Sequence, residues 1–423
     1  MILRLPYGRG TITADLRGLH CHELRPATPR RVAPVRDLAA EALDHPAEGP
    51  SITELARGVH RVTVLVPDAT RKVPLPEILP LVFERLSHAG VEARGITVLV
   101  ACGTHPSGDA ESLASLLGPI PNEIRVIQHD ARDTASLVSV GTVPSGLAVR
   151  LNRAALEADL LVAVSSVQHH YFAGFGGGPK LVFPGVAGYE ETQANHARVI
   201  DLTTDPPGRH PRCEPGMLDG NPVAEEIALA ANLRPPDFAL LLVGGEDGRP
   251  AWSAGGTLSA TFPSACARAR AWFEVEGGPF RRVIVTAGGY PTDHTLIQAH
   301  KALDAACRFA APDAEVLFVA ECHGGPGSPD IEPFLADPRV SAIVARLAGG
   351  YVQYGHTALR LIEKTGAFRV LAKTGLPADL SERLGLHVVA DVQEVLGQWR
   401  EQAPQEAVGL MVGPIVYPRR ATH

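Results

Sequence analysis

Eight short runs of consecutive apolar residues, rich in Val, Leu and Ile, recur along the 423-residue chain. Continuous rather than alternating hydrophobicity is typical of strands that are buried on both faces, as in parallel sheets. Helical patterns lie between the runs, for example at 75–89 and 299–310. This alternation predicts an α/β fold with two doubly wound, Rossmann-like domains. The runs are 61–66, 95–100, 159–164, 238–243, 282–286, 315–319, 369–372 and 387–390.

The length of the chain indicates two domains, because a single hydrophobic core rarely grows beyond about 250–300 residues. The strand pattern restarts at Arg281, after a stretch at 244–278 that is partly rich in proline and glycine and partly helical. We therefore place the first domain at 1–270 and the second at 271–404. The active site is expected in the cleft between the two domains.

Composition and charge narrow the class of protein. Apolar residues make up 45% of the chain and charged residues 20%, which is ordinary for a soluble globular protein. The formal net charge of −7 argues against nucleic acid or an anionic membrane as the main partner. The six cysteines are scattered without a CxxC pair, which excludes the usual structural zinc signatures and fits a reducing compartment. Neither a signal peptide nor a membrane-spanning run is recognised, so we expect a cytoplasmic protein.

Side chains that bind ligands or carry out catalysis follow four of the predicted strands. The loops after these strands read PDATR at 67–71, ACGTH at 101–105, SSVQHH at 165–170 and AGGYPTD at 287–293. In open α/β sheets, ligands bind outside the carboxyl ends of the strands. The four loops therefore predict one functional site.

The segment 168–196, which reads QHHYFAGFGGGPKLVFPGVAGYEETQANH, concentrates histidines, glycines and a lysine. Glycine at this density is typical of a backbone that bends sharply or approaches a ligand closely. The segment is not a P-loop, because Leu181 rather than Ser or Thr follows Lys180. It also fits the Gly-x-Gly-x-x-Gly fingerprint of dinucleotide sites poorly. Lys180 is then either a solvated lysine at a loop edge or an amine that forms a covalent bond or pairs with an anion.

Four histidines, at positions 105, 169, 170 and 196, each have a structural and a functional interpretation. His169 and His170 are neighbours on an extended segment and point to opposite faces, so we expect one to be functional and the other structural. His105 is either a loop residue bonded to backbone or a functional group, and His196 is either a plain helix-face residue or a ligand. Their spacing alone does not make a zinc site, since no HExxH pair is present.

Charged and amide side chains give weaker indications. Asp68 either caps a turn beside a solvated Arg71, or Arg71 binds a carboxylate or phosphate with its planar guanidinium. Gln298 and Lys301 are three residues apart on a predicted helix and would share one face of it.

Seven short motifs occur in one order along the chain: DATR at 68–71, GTH at 103–105, HYFAGF at 170–175, GGPK at 177–180, PG at 184–185, NH at 195–196 and QAHK at 298–301. Together they resemble the nickel-dependent lactate racemase family over most of the chain. The GGPK motif with the NH motif downstream is the most specific part of this resemblance.

The resemblance implies a cofactor, the nickel-pincer nucleotide (pyridinium-3,5-bisthiocarboxylic acid mononucleotide nickel). It implies that the cofactor is attached covalently at Lys180 and that His196 is the protein ligand of nickel. It further implies that His105 and His170 are paired acid/base groups and that Arg71 holds the substrate carboxylate. The other cofactor-binding or anion-binding positions that it implies are Asp68, Thr70, Gly177, Gly178, Gln298 and Lys301.

The activity implied is that of a racemase or epimerase of small, lactate-like 2-hydroxy acids, which works by reversible hydride transfer to the cofactor. The family member acting on lactate has a tryptophan near the substrate, whereas 349–356 of this chain reads GGYVQYGH. We expect this region to influence the choice of substrate. The alternatives are an epimerase of sugar acids with the same cofactor, a metal-dependent hydrolase or lyase, and a non-catalytic cofactor carrier.

The expected partners are a small 2-hydroxy acid and the separate enzymes that make the cofactor, with no nucleic acid and no membrane. The resemblance also suggests that the C-terminal tail, 405–423, packs back onto the first domain. The sequence leaves the formation of a homo-oligomer open.

Overall fold

The structure, a computed structural model, describes residues 1–29 and 32–420. They form two compact units. The terminal unit, which we name for containing both chain ends, comprises Met1–Ala27, Ile200–Arg209 and the described part of Trp272–His423. The internal unit comprises the described part of Thr28–Val199 together with His210–Ala271.

Strands and helices alternate along the described chain. The strands are β1 (Ile2–Tyr7), β2 (Gly10–Asp15), β3 (His20–Glu23), β4 (Val62–Pro67), β5 (Ile96–Ala101), β6 (Arg125–Gln128), β7 (Leu137–Thr142), β8 (Ala148–Asn152), β9 (Leu160–Ser166), β10 (Gln168–His170), β11 (Gly174–Gly176), β12 (Ile200–Asp201), β13 (Gly208–Arg209), β14 (Phe238–Gly244), β15 (Pro250–Gly256), β16 (Glu274–Val275), β17 (Phe280–Thr286), β18 (Ala310–Val319), β19 (Arg369–Lys373), β20 (Leu386–Val388), β21 (Ala407–Met411) and β22 (Tyr417–Pro418).

The helices are α1 (Val35–Asp44), α2 (Ile52–Leu55), α3 (Leu75–His88), α4 (Ala110–Leu117), α5 (Arg153–Leu156), α6 (Pro179–Val182), α7 (Tyr189–Ala197), α8 (Pro222–Ala231), α9 (Leu258–Phe273), α10 (Leu296–Ala306), α11 (Glu332–Ala336), α12 (Val340–Gly349), α13 (Gly355–Ala367), α14 (Ala378–Arg383) and α15 (Val392–Gln402). Short 3-10 helices cover Ala93–Gly95, Thr134–Ser136, Cys307–Phe309 and Pro329–Ile331. Within the described ranges, none of the helices has both the length and the apolar character required to cross a membrane.

The internal unit is built on a six-stranded sheet in the order β15-β14-β9-β4-β5-β6. All neighbouring strands are parallel except β14 and β15. Every residue of β4 is buried, as continuous apolar runs require when both faces of a sheet are covered. On one face, Val64 and Val98 belong to a core cluster with Ile78 and Val82 of α3.

The terminal unit contains a second six-stranded sheet, in the order β20-β19-β18-β17-β21-β3, in which all neighbouring strands are parallel. Its core joins Ile284 and Leu317 of the sheet to Leu5 of β1 and to Trp399 of α15. The Trp399 indole N–H donates a hydrogen bond of 2.6 Å to Glu315, so the polar edge of this buried ring has a partner.

The α/β class predicted from the sequence is confirmed, since each of the eight apolar runs forms a strand in one of the two sheets. The helix predicted at 75–89 is α3, and the one predicted at 299–310 is α10, which begins and ends earlier. Four strands of the two six-stranded sheets were not predicted, namely β3, β6, β15 and β21. Three of them lie at sheet edges, where half-exposed strands lose the continuous apolar pattern.

The described units differ from the ranges expected for the domains at both ends of the chain. The division after Ala271 lies close to the boundary placed near 270, but Met1–Ala27 belongs to the terminal unit. The reason is strand pairing, because β3 pairs with β21 and β21 pairs with β17. The tail thus supplies strand β21 to the terminal unit, and its packing onto the predicted first domain stays a prediction. Residues 421–423 of the tail lie outside the described residues.

Strand order in the internal unit brings three of the four predicted site loops together. β9, β4 and β5 are adjacent parallel strands, so the loops that follow them leave the same edge of the sheet. The fourth loop follows β17 and belongs to the terminal unit.

The terminal unit also contains a buried cluster of charges between α10 and α13. Asp304 is 2% exposed, and both of its carboxylate oxygens lie 3.0 Å from Nη2 of the fully buried Arg360. Arg308 and Lys364 lie 3.1 Å and 3.6 Å from the same carboxylate. Burial alone would raise the pKa of Asp304, but the three cations hold it well below its usual range.

We expect Asp304→Asn to lower the free energy of unfolding of the terminal unit by about 3–5 kcal/mol, because the substitution leaves buried cations without their counter-charge. Arg360→Met should cost less, since Asp304 keeps Arg308 and Lys364 as partners. Denaturant titration followed by circular dichroism measures both variants. Equal losses would show that Arg308 and Lys364 contribute little to holding the carboxylate.

Candidate active site

The loop after β4 is ordered by the carboxylate of Asp68. Its Oδ1 accepts hydrogen bonds of 3.1 Å from the Thr70 backbone N–H and 2.5 Å from the Thr70 hydroxyl. The Arg71 backbone N–H donates to the Asp68 carbonyl at 3.1 Å, which closes a tight turn. The turn cap considered from the sequence is therefore present, and it leaves Oδ2 of Asp68 to face another residue.

The ring of His105 contacts this second oxygen, Oδ2 of Asp68. Its Nδ1 lies 2.7 Å from Oδ2 of Asp68, because the loops after the paired strands β4 and β5 are neighbours. Burial would raise the pKa of Asp68, but the hydrogen bonds with His105 and Thr70 and the charge of Arg71 together lower it. Asp68 is thus ionised at neutral pH and orients the His105 ring.

The adjacent histidines lie on the hairpin formed by β10 and β11 and have different neighbours. The His169 ring lies 4.8 Å from the Phe175 ring, whereas the His170 ring meets the edge of Phe172 at 4.6 Å between centroids. Nδ1 of His170 accepts a hydrogen bond of 3.2 Å from the backbone N–H of Ala173. The two side chains therefore point into different surroundings, as the alternation of an extended segment predicts.

Lys180 is the second residue of α6, a single turn that begins at Pro179, where proline is favourable. Its Nζ lies 5.5 Å from the centroid of the Phe172 ring. Burial, together with the charge of nearby Arg71, lowers the pKa of Lys180 to about 7. Much of the amine is then unprotonated at neutral pH, which favours the reactive amine over the solvated lysine.

His196 lies near the C-terminal end of α7, and its ring is 5.1 Å from the ring of Phe172. Burial and the charges of Lys180 and His105 lower the pKa of His196 to about 3, although a hydrogen bond with the Thr192 backbone acts in the opposite direction. A neutral imidazole is the form that binds metal ions.

Phe172 connects three of the predicted site residues. Its side chain is 2% exposed, and its ring contacts the rings of His170 and His196 and faces the amine of Lys180. The ring places apolar surface beside these nitrogens, and burial lowers the pKa of both Lys180 and His196. Sequence reasoning gave Phe172 no role. The feature of the sequence that could have indicated a role for Phe172 is that an apolar aromatic residue lies within a segment rich in glycines and histidines.

Gly177 and Gly178 are required by backbone conformation and packing. Their φ angles are +74° and +54°, a region that favours glycine. A Cβ on Gly177 would collide with the carbonyl of Ser166, and one on Gly178 would collide with the ring of Phe262. The Gly178 N–H also donates to Oγ of Ser165 at 3.1 Å. Contacts within the protein therefore account for both glycines, and their part in cofactor binding stays a prediction.

Gln298 and Lys301 lie in the terminal unit, on α10. Nζ of Lys301 donates a hydrogen bond of 2.6 Å to Oε1 of Gln298, which confirms that the two side chains share one helix face. Their binding of an anion stays a prediction.

The segment 349–356, where the sequence has tyrosines and no tryptophan, also lies in the terminal unit. The hydroxyl of Tyr351 is 2.5 Å from Nδ1 of His356, and the two rings are stacked. Tyr354 has a φ of 68° immediately before α13, and burial raises the pKa of its hydroxyl. The influence of this segment on substrate choice stays a prediction.

The potential metal ligands of the internal unit fit a centre that a cofactor helps to hold better than a centre held by protein ligands alone. Among the described residues, no three or more His, Cys, Asp or Glu side chains are grouped to hold a metal ion. A metal at His196 would therefore need ligands from a cofactor, whereas catalytic zinc sites take three ligands from the protein. The cofactor that the resemblance implies would supply most of the ligands itself, so that one histidine of the protein would be enough to hold its metal.

Comparison with known proteins finds relatives of one family. Residues 7–205 match the family model for the lactate racemase N-terminal domain. The chain is 32% identical over 337 residues to the lactate racemase of Lactiplantibacillus plantarum. The matched region covers 79% of this chain and 78% of that protein. The chain is 27% identical over 333 residues to the lactate racemase of Thermoanaerobacterium thermosaccharolyticum, spanning 77% of this chain and 76% of that protein.

Solved structures share the fold. The lactate racemase apoprotein from Thermoanaerobacterium thermosaccharolyticum superposes with a TM-score of 0.83 at 22% identity, over 100% of both chains. A protein from Thermotoga maritima superposes with a TM-score of 0.66 at 17% identity, over 90% of this chain and 98% of that one.

We expect the labelling rate of Lys180 in the cofactor-free protein to be half-maximal near pH 7, because only the neutral amine reacts and the pKa of Lys180 is lowered to about 7. An ordinary lysine, with a pKa near 10.4, has roughly one neutral amine in 2,500 at pH 7. Competitive labelling with acetic anhydride across a pH series, followed by peptide mass mapping, measures the rate. N-acetyl-lysine in the same reaction is the reference. A Lys180 rate that keeps rising in parallel with this reference would contradict the prediction.

Proposed function

Because this chain belongs to the lactate racemase family, we propose that it is a racemase of small 2-hydroxy acids that uses the nickel-pincer nucleotide. The observation that carries the proposal is a pair of histidines, His105 and His170, in one structural unit, each with its Nδ1 held by a hydrogen bond. Lactate is the first substrate to test, since both curated relatives are lactate racemases.

The hydrogen bonds at Nδ1 favour opposite tautomers of the two rings when each ring is neutral. Nδ1 of His105 faces the ionised carboxylate of Asp68, so it carries the proton and leaves Nε2 as a base. Nδ1 of His170 accepts from the N–H of Ala173, so the proton of that ring is on Nε2. In their neutral forms the two rings therefore present different groups at Nε2, a lone pair at His105 and an N–H at His170.

Such a pair suits a reaction that interconverts mirror images. Racemisation requires that the substrate hydroxyl lose its proton and that a hydroxyl be restored on the opposite configuration. Either ring, when neutral, can accept the hydroxyl proton, and the other, when protonated as an imidazolium, can return one; the reverse reaction exchanges their roles. When bound, the cofactor would accept and return the hydride of the substrate Cα. Histidine suits both proton transfers because its ordinary pKa lies close to neutral pH.

Two further residues would hold the cofactor. Lys180 offers an amine that is partly neutral at pH 7, as covalent attachment through nitrogen requires. His196 offers a neutral imidazole to nickel. The side chain of Phe172 lies against both residues and is itself 2% exposed.

Arg71 is assigned to the substrate carboxylate, because a guanidinium binds a carboxylate with two parallel hydrogen bonds. It is partly buried next to Asp68, whose turn fixes its backbone. The proposal also keeps Asp68, Thr70, Gln298 and Lys301 as cofactor-binding or anion-binding side chains. The cofactor itself would come from separate biosynthetic enzymes.

We expect protein that is co-produced with the cofactor-making enzymes to gain the mass of the nickel-pincer nucleotide, and peptide mapping to place the gain at Lys180. Lys180→Arg, which keeps a cation of similar length, should lack the added mass. The loaded wild-type protein should interconvert D- and L-lactate or a related short 2-hydroxy acid, as measured by chiral chromatography. An unmodified Lys180 in protein that holds stoichiometric zinc would instead support a metal-dependent hydrolase or lyase.

If the cofactor-loaded protein does not racemise any short 2-hydroxy acid, two other outcomes are possible. Turnover of sugar acids would identify a sugar-acid epimerase with the same cofactor. Failure to turn over either class would support a cofactor carrier and contradict the proposal.

We expect His105→Gln and His170→Gln each to lower kcat by about 10²-fold or more, the usual contribution of a positioned acid or base. Asp68→Asn should lower kcat by a similar factor, because an amide can stabilise the wrong tautomer of His105. His169→Gln is the matched control, since His169 packs on Phe175, and its kcat should stay within about twofold of wild type. Cofactor content, checked by mass, must be equal in all four variants. Equal effects at His169 and His170 would contradict the assignment.

A further inference from the structure

Helix α7, which carries His196, is buried through polar side chains. Its buried residues are Glu191, Thr192 and Asn195, and the last of these is 0% exposed. Most helices attach to a protein through an apolar stripe. The position of α7 depends instead on hydrogen bonds and ion pairs, which are directional.

The first half of α7 is attached to β8 by one ion pair. Glu191 is 4% exposed, and its carboxylate binds the guanidinium of Arg150 through Nε and, at 3.1 Å, through Nη2. This contact lies five residues before His196.

The second half of α7 is attached to α8 by a network centred on Glu226, which is 3% exposed. Nδ2 of Asn195 donates to Oε2 of Glu226 at 3.0 Å and to the carbonyl of Val223 at 3.2 Å. Nε of Arg198 lies 2.7 Å from Oε1 of Glu226, and the hydroxyl of Ser145 donates to the same oxygen.

The contacts of Glu226 fall on both sides of His196 in the sequence, at Asn195 and at Arg198. We propose that Glu226 is a positioning residue that sets, through these two contacts, the location of the His196 imidazole. This inference rests on the proposed function, in which that imidazole binds nickel. Asn195 fixes the rotation of α7 about its axis, and Arg198 fixes the backbone just after its last turn.

Apolar packing alone would not define the helix as closely. Apolar side chains tolerate small slides of a helix, whereas a hydrogen bond weakens steeply with distance and angle. A metal–ligand bond has similarly narrow tolerances, so the residues that orient a ligand influence how tightly the metal is held.

We expect Glu226→Gln to accelerate the loss of nickel from cofactor-loaded protein by about tenfold, in line with the usual effect of removing a group that orients a metal ligand. Loaded protein is mixed with excess chelator, and nickel content is followed by elemental analysis while intact mass reports the cofactor that remains attached. The matched control is Asp44→Asn, which removes an ion pair between α1 and α3 of the same unit without touching α7. Its nickel loss should equal that of wild type.

A second measurement uses the cofactor-free protein, so that it does not depend on loading. Amide hydrogen exchange of peptides covering α7 should be at least several-fold faster in Glu226→Gln than in wild type, and unchanged in Asp44→Asn. Asn195→Ala removes the α7 end of the same hydrogen bond without removing a charge. It serves as the second variant if Glu226→Gln does not fold, with the same two expectations.

The outcomes separate this inference from the function on which it rests. Equal nickel loss from wild type and from His196→Ala would overturn the assignment of nickel to His196, and this inference with it. If wild type loses nickel slowly and Glu226→Gln loses it no faster than Asp44→Asn, the proposed function is left intact and the role of Glu226 is overturned. Faster nickel loss and faster amide hydrogen exchange in α7 of Glu226→Gln would support the role of Glu226 if neither is seen in Asp44→Asn.

Discussion

Lowering the pKa of two nitrogen groups beside a buried aromatic ring is the constraint on which the proposed chemistry depends. Lys180 and His196 both lie against Phe172, and burial lowers the pKa of each. This arrangement costs stability, because a lysine whose pKa is lower in the folded than in the unfolded protein takes up a proton on unfolding. The resulting destabilisation is complete below about pH 7, shrinks as the pH rises, and vanishes above the ordinary lysine pKa. A solvated lysine would avoid that cost but would be a poor nucleophile at neutral pH.

The parallel sheet of the internal unit makes this constraint compatible with a nearby ionised carboxylate. Adjacent strands β4 and β5 deliver Asp68 and His105 to the same sheet edge, where their hydrogen bond and the charge of Arg71 lower the pKa of the carboxyl. The loop after β9 leads to the hairpin and to Lys180. Groups whose pKa values are shifted from their ordinary values in one region are typical of catalytic sites.

The fold class, the central strands and most of the candidate site could be predicted from the sequence, because each rests on a local signal. Strands buried on both faces leave uninterrupted apolar runs, and reactive side chains follow them directly. The sequence did not reveal that β21 pairs with β17 and β3, since this pairing joins the two ends of the chain and has no local pattern. Nor did it reveal the role of Phe172, whose importance arises from contacts with residues that are distant in sequence.

The proposed reactive groups share one structural principle, which is that hydrogen bonds orient them while apolar packing only encloses them. Asp68 orients His105, and the backbone N–H of Ala173 orients His170. The helix that bears His196 is itself held by polar contacts on its buried face. Proton transfer and metal binding both require a lone pair to point in one direction, and packing against Phe172 cannot supply that direction. The polar face of α7, unusual for a buried helix, then follows from the task of the residue that the helix carries.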